Sequence, residues 1–179
     1  PADREVAALV ASLLAFGNVV AIKKSVARAL AALGPSPSRT IDEENEAELT
    51  SRLSGFVHRV YRGPDLARAL SGAGELRRAH GSIANALVSM RESVPATEAD
   101  PMLAVLTLLA DALRGKKGGR GRGLAHLVPD PRKGSACKRL VLFMRWMVRP
   151  DDGVDLGLAP LSTAELLMPL DTHIHRIGK

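Results

Sequence analysis

Apolar residues recur at helical spacing along most of this 179-residue chain, in blocks separated by Gly, Pro, Ser and Asp. Asp3 is placed to cap a first helix, REVAALVASLLAF, in which Val6, Leu9, Val10, Leu13 and Leu14 share a face. Gly17-Asn18 interrupts the pattern, which resumes as VVAIKKSVARALAAL until Gly34-Pro35 stops it. Ser36 to Arg39 reads as a loop. Glu43 to Val60 reads as a third helix, with Leu49, Leu53, Phe56, Val57 and Val60 on one side. Gly63-Pro64-Asp65 opens a short helix expected to break near Gly72 and Gly74. Ser82 caps IANALVSMRESV, which ends at Pro95, and Asp100-Pro101 opens MLAVLTLLADALRG. No stretch alternates convincingly as a strand and no repeat stands out. The expectation is an all-α fold of seven or more short helices in one domain over residues 1–179.

The last third carries a more informative pattern. Ser135, after Gly134, is positioned to cap a helix running to about Arg149, where Pro150 ends it. Leu140, Phe143, Met144 and Met147 form its core-facing stripe. Arg145 and Arg149 each fall within about 20° of Lys138, on the opposite side. The helix therefore has an apolar face and a cationic one.

Composition narrows the function classes. A hydrophobic fraction of 46% supports a proper core, and 25% charged residues argue against wholesale disorder. Aromatics at 3% are too few for a sheet platform that stacks bases. One cysteine, Cys137, excludes a disulfide framework and a four-cysteine metal site within this stretch, and it packs most naturally as a small hydrophobe. No apolar run reaches the roughly 18 residues of a membrane span. Residues 114–149 hold eleven Lys/Arg against one acid, Asp130, whereas the remainder is mildly acidic. That asymmetry is the footprint of a polyanion binder. Gly115 to Gly123, GKKGGRGRG, reads as a flexible basic surface loop in which Lys116, Lys117, Arg120 and Arg122 either track a phosphate backbone or are merely solvated.

Two positions invite chemistry. Lys138 lies in a first helical turn beside other cations, surroundings that favour an amine able to act as a nucleophile; an ordinary exposed lysine is the competing reading. The preceding Lys133, Gly134, Ser135 and Ala136 offer small residues and backbone N–H groups, an anion-binding geometry. Asp171 either caps a helix or, in addition, points into a cleft as a catalytic carboxylate. His173 and His175 would diverge on a helix and make a poor metal pair.

The blocks KGSACK and PLDTHIHRIG, a lysine opening a helix after a glycine-containing hairpin and then an Asp-x-His segment, resemble the helix-hairpin-helix DNA glycosylase superfamily, which includes endonuclease III and the 8-oxoguanine glycosylases. The chain looks more specifically like a bacterial family within it, typified by KGSACKR, LFLRWMVR and PLDTH. The resemblance implies that Lys138 is the nucleophile and Asp171 the catalytic carboxylate. Their separation looks more like archaeal 8-oxoguanine glycosylases than endonuclease III. It further implies that Lys133 to Ala136, Arg139, Arg145 and Arg149 face DNA. Asn18 would match the polar residue that enters the duplex gap, and Trp146 would line a base pocket if it is not simply core. The implied partner is double-stranded DNA with a damaged base, an oxidised purine such as 8-oxoguanine being favoured. The protein would be a cytoplasmic monomer with no metal or organic cofactor. A catalytically silent nucleic-acid-binding module of the same fold is the alternative. The chain, beginning at Pro1 and ending within a helical pattern, is expected to be a fragment lacking the C-terminal helices of that fold.

Overall fold

The computed structural model describes residues 1–115 and 121–169. Of the described residues 65% are helical and 2% lie in strands, so the fold is all-α in class. The described helices are α1 (Ala2–Leu13), α2 (Val19–Leu33), α3 (Pro37–Glu43), α4 (Glu46–Arg52), α5 (Gly63–His80), α6 (Ile83–Ser93), α7 (Pro101–Arg114), α8 (Arg122–Leu127) and α9 (Lys138–Val148). A two-stranded hairpin, β1 (Val57–His58) and β2 (Tyr61–Arg62), sits between α4 and α5. No described helix is long and apolar enough to cross a membrane.

Helix α5 is the central element, packed against α3, α4, α6, α7 and α8, while α1 packs on α9. The expected break at Gly72 and Gly74 does not occur: α5 runs unbroken for 18 residues. Those glycines allow close approach instead. A Cβ at Gly72 would run into the Ala112 carbonyl oxygen of α7 and lie 2.8 Å from Leu113 Cα. One at Gly74 would strike the Ile41 carbonyl of α3.

Three other expectations are corrected. The predicted helix over 43–60 divides. Asn45 and Glu48 form a capping box that starts α4 afresh, and beyond Arg52 the chain turns through Gly55 into the hairpin. His58 and Tyr61 there are buried, and Arg59 takes the left-handed conformation (φ +54°) in the tight connection. The loop foreseen at Ser36 to Arg39 is the start of α3, opened by Pro37. Asp3 does not cap α1, whose first residue precedes it. Its carboxylate instead accepts the Ser38 N–H at 2.8 Å and the Ser36 hydroxyl, capping α3 from across the fold. These bonds hold the Asp3 carboxyl below its ordinary pKa.

A buried charge pair joins four helices. Glu5 of α1 is 2% exposed and Arg77 of α5 is 7% exposed. Arg77 Nη1 donates to Glu5 Oε1, while its Nε and Nη2 bind both oxygens of Asp42 in α3 at 2.9 Å. Glu5 Oε2 accepts the backbone N–H groups of Ile83 and Ala84 at 3.1 and 3.2 Å, satisfying the start of α6. Removing Arg77 strands the Glu5 carboxylate in the interior, whereas removing Glu5 leaves Arg77 its Asp42 partner but orphans a guanidinium N–H and the first N–H groups of α6. Glu5→Ala and Arg77→Met should each lose about 3–5 kcal/mol in urea unfolding. The double variant Glu5→Ala/Arg77→Met should lose less than the sum of the two single variants, because the buried Glu5 carboxylate that Arg77→Met strands is then gone; additive losses would show that the pair is not coupled.

A second expected outcome concerns packing. Gly72→Ala should destabilise by about 1–3 kcal/mol, against the roughly 1 kcal/mol that alanine's helix propensity would add. Gly55→Ala, where a Cβ meets nothing within 4 Å, is the control.

Candidate functional site

Between α8 and α9 the chain makes a compact turn, residues 128–137. Asp130 opens a single 3-10 turn, Pro131–Lys133, by accepting the Arg132 N–H at 3.0 Å. Gly134 closes it in the left-handed conformation, φ +72°, which costs glycine nothing. Arg132 Nε donates to Asp130 at 2.9 Å and its Nη2 to Asp111 at 2.6 Å, while Arg114 approaches Asp130 at 3.4 Å. Hydrogen bonding from Arg132 holds the Asp130 carboxyl below its ordinary pKa.

Ser135 does not cap α9. Its hydroxyl accepts the Cys137 N–H at 3.2 Å, and Cys137 is the residue at the helix start, in the left-handed conformation at φ +46°. That unusual backbone turns the thiol into the core, where burial pushes its pKa up. α9 then begins at Lys138 without a side-chain cap.

Lys138 is exposed and lines a cleft of about 890 Å³ together with Lys133, Ser135, Ala136 and Arg139. The turn between α1 and α2 contributes Ala15, Phe16 and Gly17, and α8 contributes His126. The cleft is large enough for a nucleobase-sized ligand. Within it, Phe16 meets His126 edge-on at 5.1 Å between ring centres, and Arg59 lies 4.7 Å from the Phe16 centroid. Arg139 reaches behind them. Its guanidinium donates to Tyr61 Oη and to the His126 carbonyl, and it lies 5.5 Å from the Tyr61 ring. On the other side of Tyr61, His58 bonds Ser25 Oγ at 2.8 Å and the Phe16 carbonyl at 3.1 Å. The hairpin is thereby tied to the α1–α2 turn that forms part of the cleft.

The remaining sequence candidates are placed differently. Asn18 caps α2 by accepting the Ala21 N–H at 3.1 Å, beside Val19 and Val20, which are both highly exposed. Arg145 and Arg149 turn toward the fully buried Asp155, at 3.6 and 3.3 Å, away from the cleft lining. Trp146 is half-buried and does not line the cleft; its carbonyl accepts the Leu156 N–H at 2.6 Å. Arg122 opens α8 and is exposed. Asp171, Lys116, Lys117 and Arg120 lie outside the described residues.

Sequence reasoning passed over Phe16, Tyr61 and His126. Phe16 was absorbed into the end of an apolar run, and Tyr61 followed a stretch read as helix. His126 carried no motif of its own. The one available clue was aromatic scarcity: with one Tyr, one Trp and three Phe in the whole chain, each aromatic has a restricted choice of roles.

No curated protein and no solved structure matches the chain. A family model described as "Protein of unknown function (DUF2400)" matches residues 1–179, the whole of the sequence, and the chain therefore belongs to the DUF2400 family.

Proposed function

We propose that this protein is a DNA base-excision glycosylase with a β-lyase step, acting on duplex DNA that carries a damaged base. The observation that carries the reading is the company of Lys138: an exposed lysine at the uncapped start of α9, in one cleft with a small-residue turn and an aromatic residue. The resemblance of KGSACK and PLDTH to helix-hairpin-helix glycosylases supports it. An oxidised purine such as 8-oxoguanine is the favoured substrate, on that resemblance alone. The base must leave the stack before its glycosidic carbon can be reached.

In this scheme the Lys138 amine attacks the sugar C1′, and the glycosidic C–N bond breaks with its electrons going to the departing base, which takes up a proton. The amine's two protons pass, in net, to the departing base and to O4′ as the C1′–O4′ bond breaks and the opened sugar is left as a C1′ imine. Removal of a C2′ proton then expels the 3′ phosphate, breaking the strand. Asp171 moves the proton and stabilises positive charge developing on the sugar. The basic turn supplies phosphate contacts. Several arginines of the 114–149 segment are paired internally, so those contacts fall to Lys133, to backbone N–H groups and to the 115–123 loop.

Borohydride trapping on duplexes bearing a panel of lesions tests the chemistry. Wild type should cross-link to its best substrate and Lys138→Gln should not, with stability changed by less than about 1 kcal/mol. Asp171→Asn should stay folded while losing most base excision, because Asn caps a helix about as well as Asp. Full turnover by that variant would reduce Asp171 to a cap. Salt-dependent DNA binding without any trapping would identify a silent binding module instead. In either case, replacing Lys116, Lys117, Arg120 and Arg122 by alanine should weaken binding uniformly across sequences and flatten its salt dependence. An unchanged slope would show that the loop is only solvated.

A further inference from the structure

The hydrogen bonds behind the cleft fix where the protons sit. A guanidinium can only donate, so Tyr61 Oη must accept from Arg139. The phenol has one proton of its own, and its other partner is His126 Nδ1 at 2.8 Å. Tyr61 is fully buried, so its proton needs an acceptor; Nδ1 lies in reach and takes that role, and the neutral ring then carries its proton on Nε2. Arg139 also donates to the His126 carbonyl, so the same guanidinium holds the residue's backbone. His58 is ordered by the same logic: its Nε2 faces the Phe16 carbonyl, which can only accept, and its Nδ1 therefore accepts from Ser25. Both N–H groups are thus assigned, but only one has a partner. His58 is buried with its Nε2–H engaged. His126 is exposed, lines the cleft and has no Nε2 partner among the described residues.

We propose that the His126 Nε2–H is a fixed hydrogen-bond donor of the cleft, and that it selects a ligand presenting a carbonyl-type acceptor on a planar heteroaromatic ring. This deepens the reading above and rests on it: the ligand is the extruded base. A donor locked in one tautomer by two residues behind it discriminates by the unpaired group it leaves when the ligand lacks an acceptor. Phe16, packed edge-on to the same imidazole, supplies the apolar surface that such a ring needs. Burial, and after it the charge of Arg139, lowers the His126 pKa, which keeps the imidazole neutral. Tyr61, whose pKa burial raises, keeps its proton and remains a donor to Nδ1. In this arrangement Tyr61 and Arg139 are positioning residues for His126.

Two measurements separate this inference from the glycosylase reading. The first uses the free protein at neutral pH. Long-range proton–nitrogen NMR should show His126 with Nε2 protonated and Nδ1 bare, and Tyr61→Phe should release that ordering. A ring protonated on Nδ1 in wild type overturns the proposal without touching the DNA reading. The second measures binding of a duplex containing 8-oxoguanine against the same duplex with a tetrahydrofuran abasic analogue. Wild type should prefer the base-containing duplex, and His126→Phe should lose roughly tenfold of that preference. His126→Gln, which can place an amide N–H near the Nε2 position, should recover part of it. Equal discrimination by wild type and His126→Phe overturns the role of His126 while leaving a DNA-binding protein. Failure of wild type to bind either duplex overturns both readings.

Discussion

The fold depends on a charge that could not stay buried alone. Glu5 enters the interior on α1, and three donors from two other elements meet it: the guanidinium of Arg77 and the first N–H groups of α6. Arg77 in turn clamps both oxygens of Asp42 with its Nε and Nη2. Desolvating a carboxylate and a guanidinium costs several kcal/mol each, and only a near-complete set of hydrogen bonds offsets it. Completeness therefore specifies position. α1, α3, α5 and α6 can each satisfy the network in few relative arrangements, so the pair contributes register as well as stability.

Much of the helical pattern was legible because it is local. α2, α6 and α7 start at Asn18, Ser82 and Asp100, and each of these side chains accepts a backbone N–H three residues on. Two of the misreadings share a cause, namely that the deciding partner was distant in sequence. Gly72 and Gly74 look like breakers until α7 and α3 are set against them, whereupon they become the only residue type that fits. Asp3 looks like a cap for its own helix, but its acceptors are used by Ser36 and Ser38. Val57 and Val60 continue a helical stripe on paper, yet the chain leaves the helix at Arg52, and both valines are exposed while His58 and Tyr61 turn inward.

Charge counting along the sequence likewise leaves out partners that the fold supplies. Eleven basic residues in 114–149 suggest a continuous cationic face. The fold sets carboxylates against several of them: Asp130 and Asp111 take Arg132, Asp130 also draws Arg114, and buried Asp155 faces Arg145 and Arg149. Arg139 has no carboxylate partner in this group and goes instead to Tyr61, His126 and the Phe16 ring. Sequence placed Lys133, Ser135, Ala136, Lys138 and Arg139 near one another correctly, because a turn followed by a helix start is local geometry. It gave no hint of the aromatic residues across from them, since those come from positions 16, 61 and 126.

Those distant positions connect the buried pair to the cleft. Tyr61 stands two residues before α5, and Arg77 lies near that helix's other end. A helix held at its far end by Glu5 and Asp42, and along its length by close contact at Gly72 and Gly74, presents its first turn in a defined place. α8, which carries His126, packs on the same helix. The phenol and the imidazole are thus set by one rigid element, and Arg139 of α9 closes the chain between them. A recognition group needs its supporting residues to be less mobile than the ligand it selects. On the proposed reading of His126, that support runs from a hydrogen-bonded charge in the core, through an unbroken helix, to one N–H in the cleft. If His126 reads the ligand as proposed, loosening the far end of α5 should blur that discrimination before it abolishes folding.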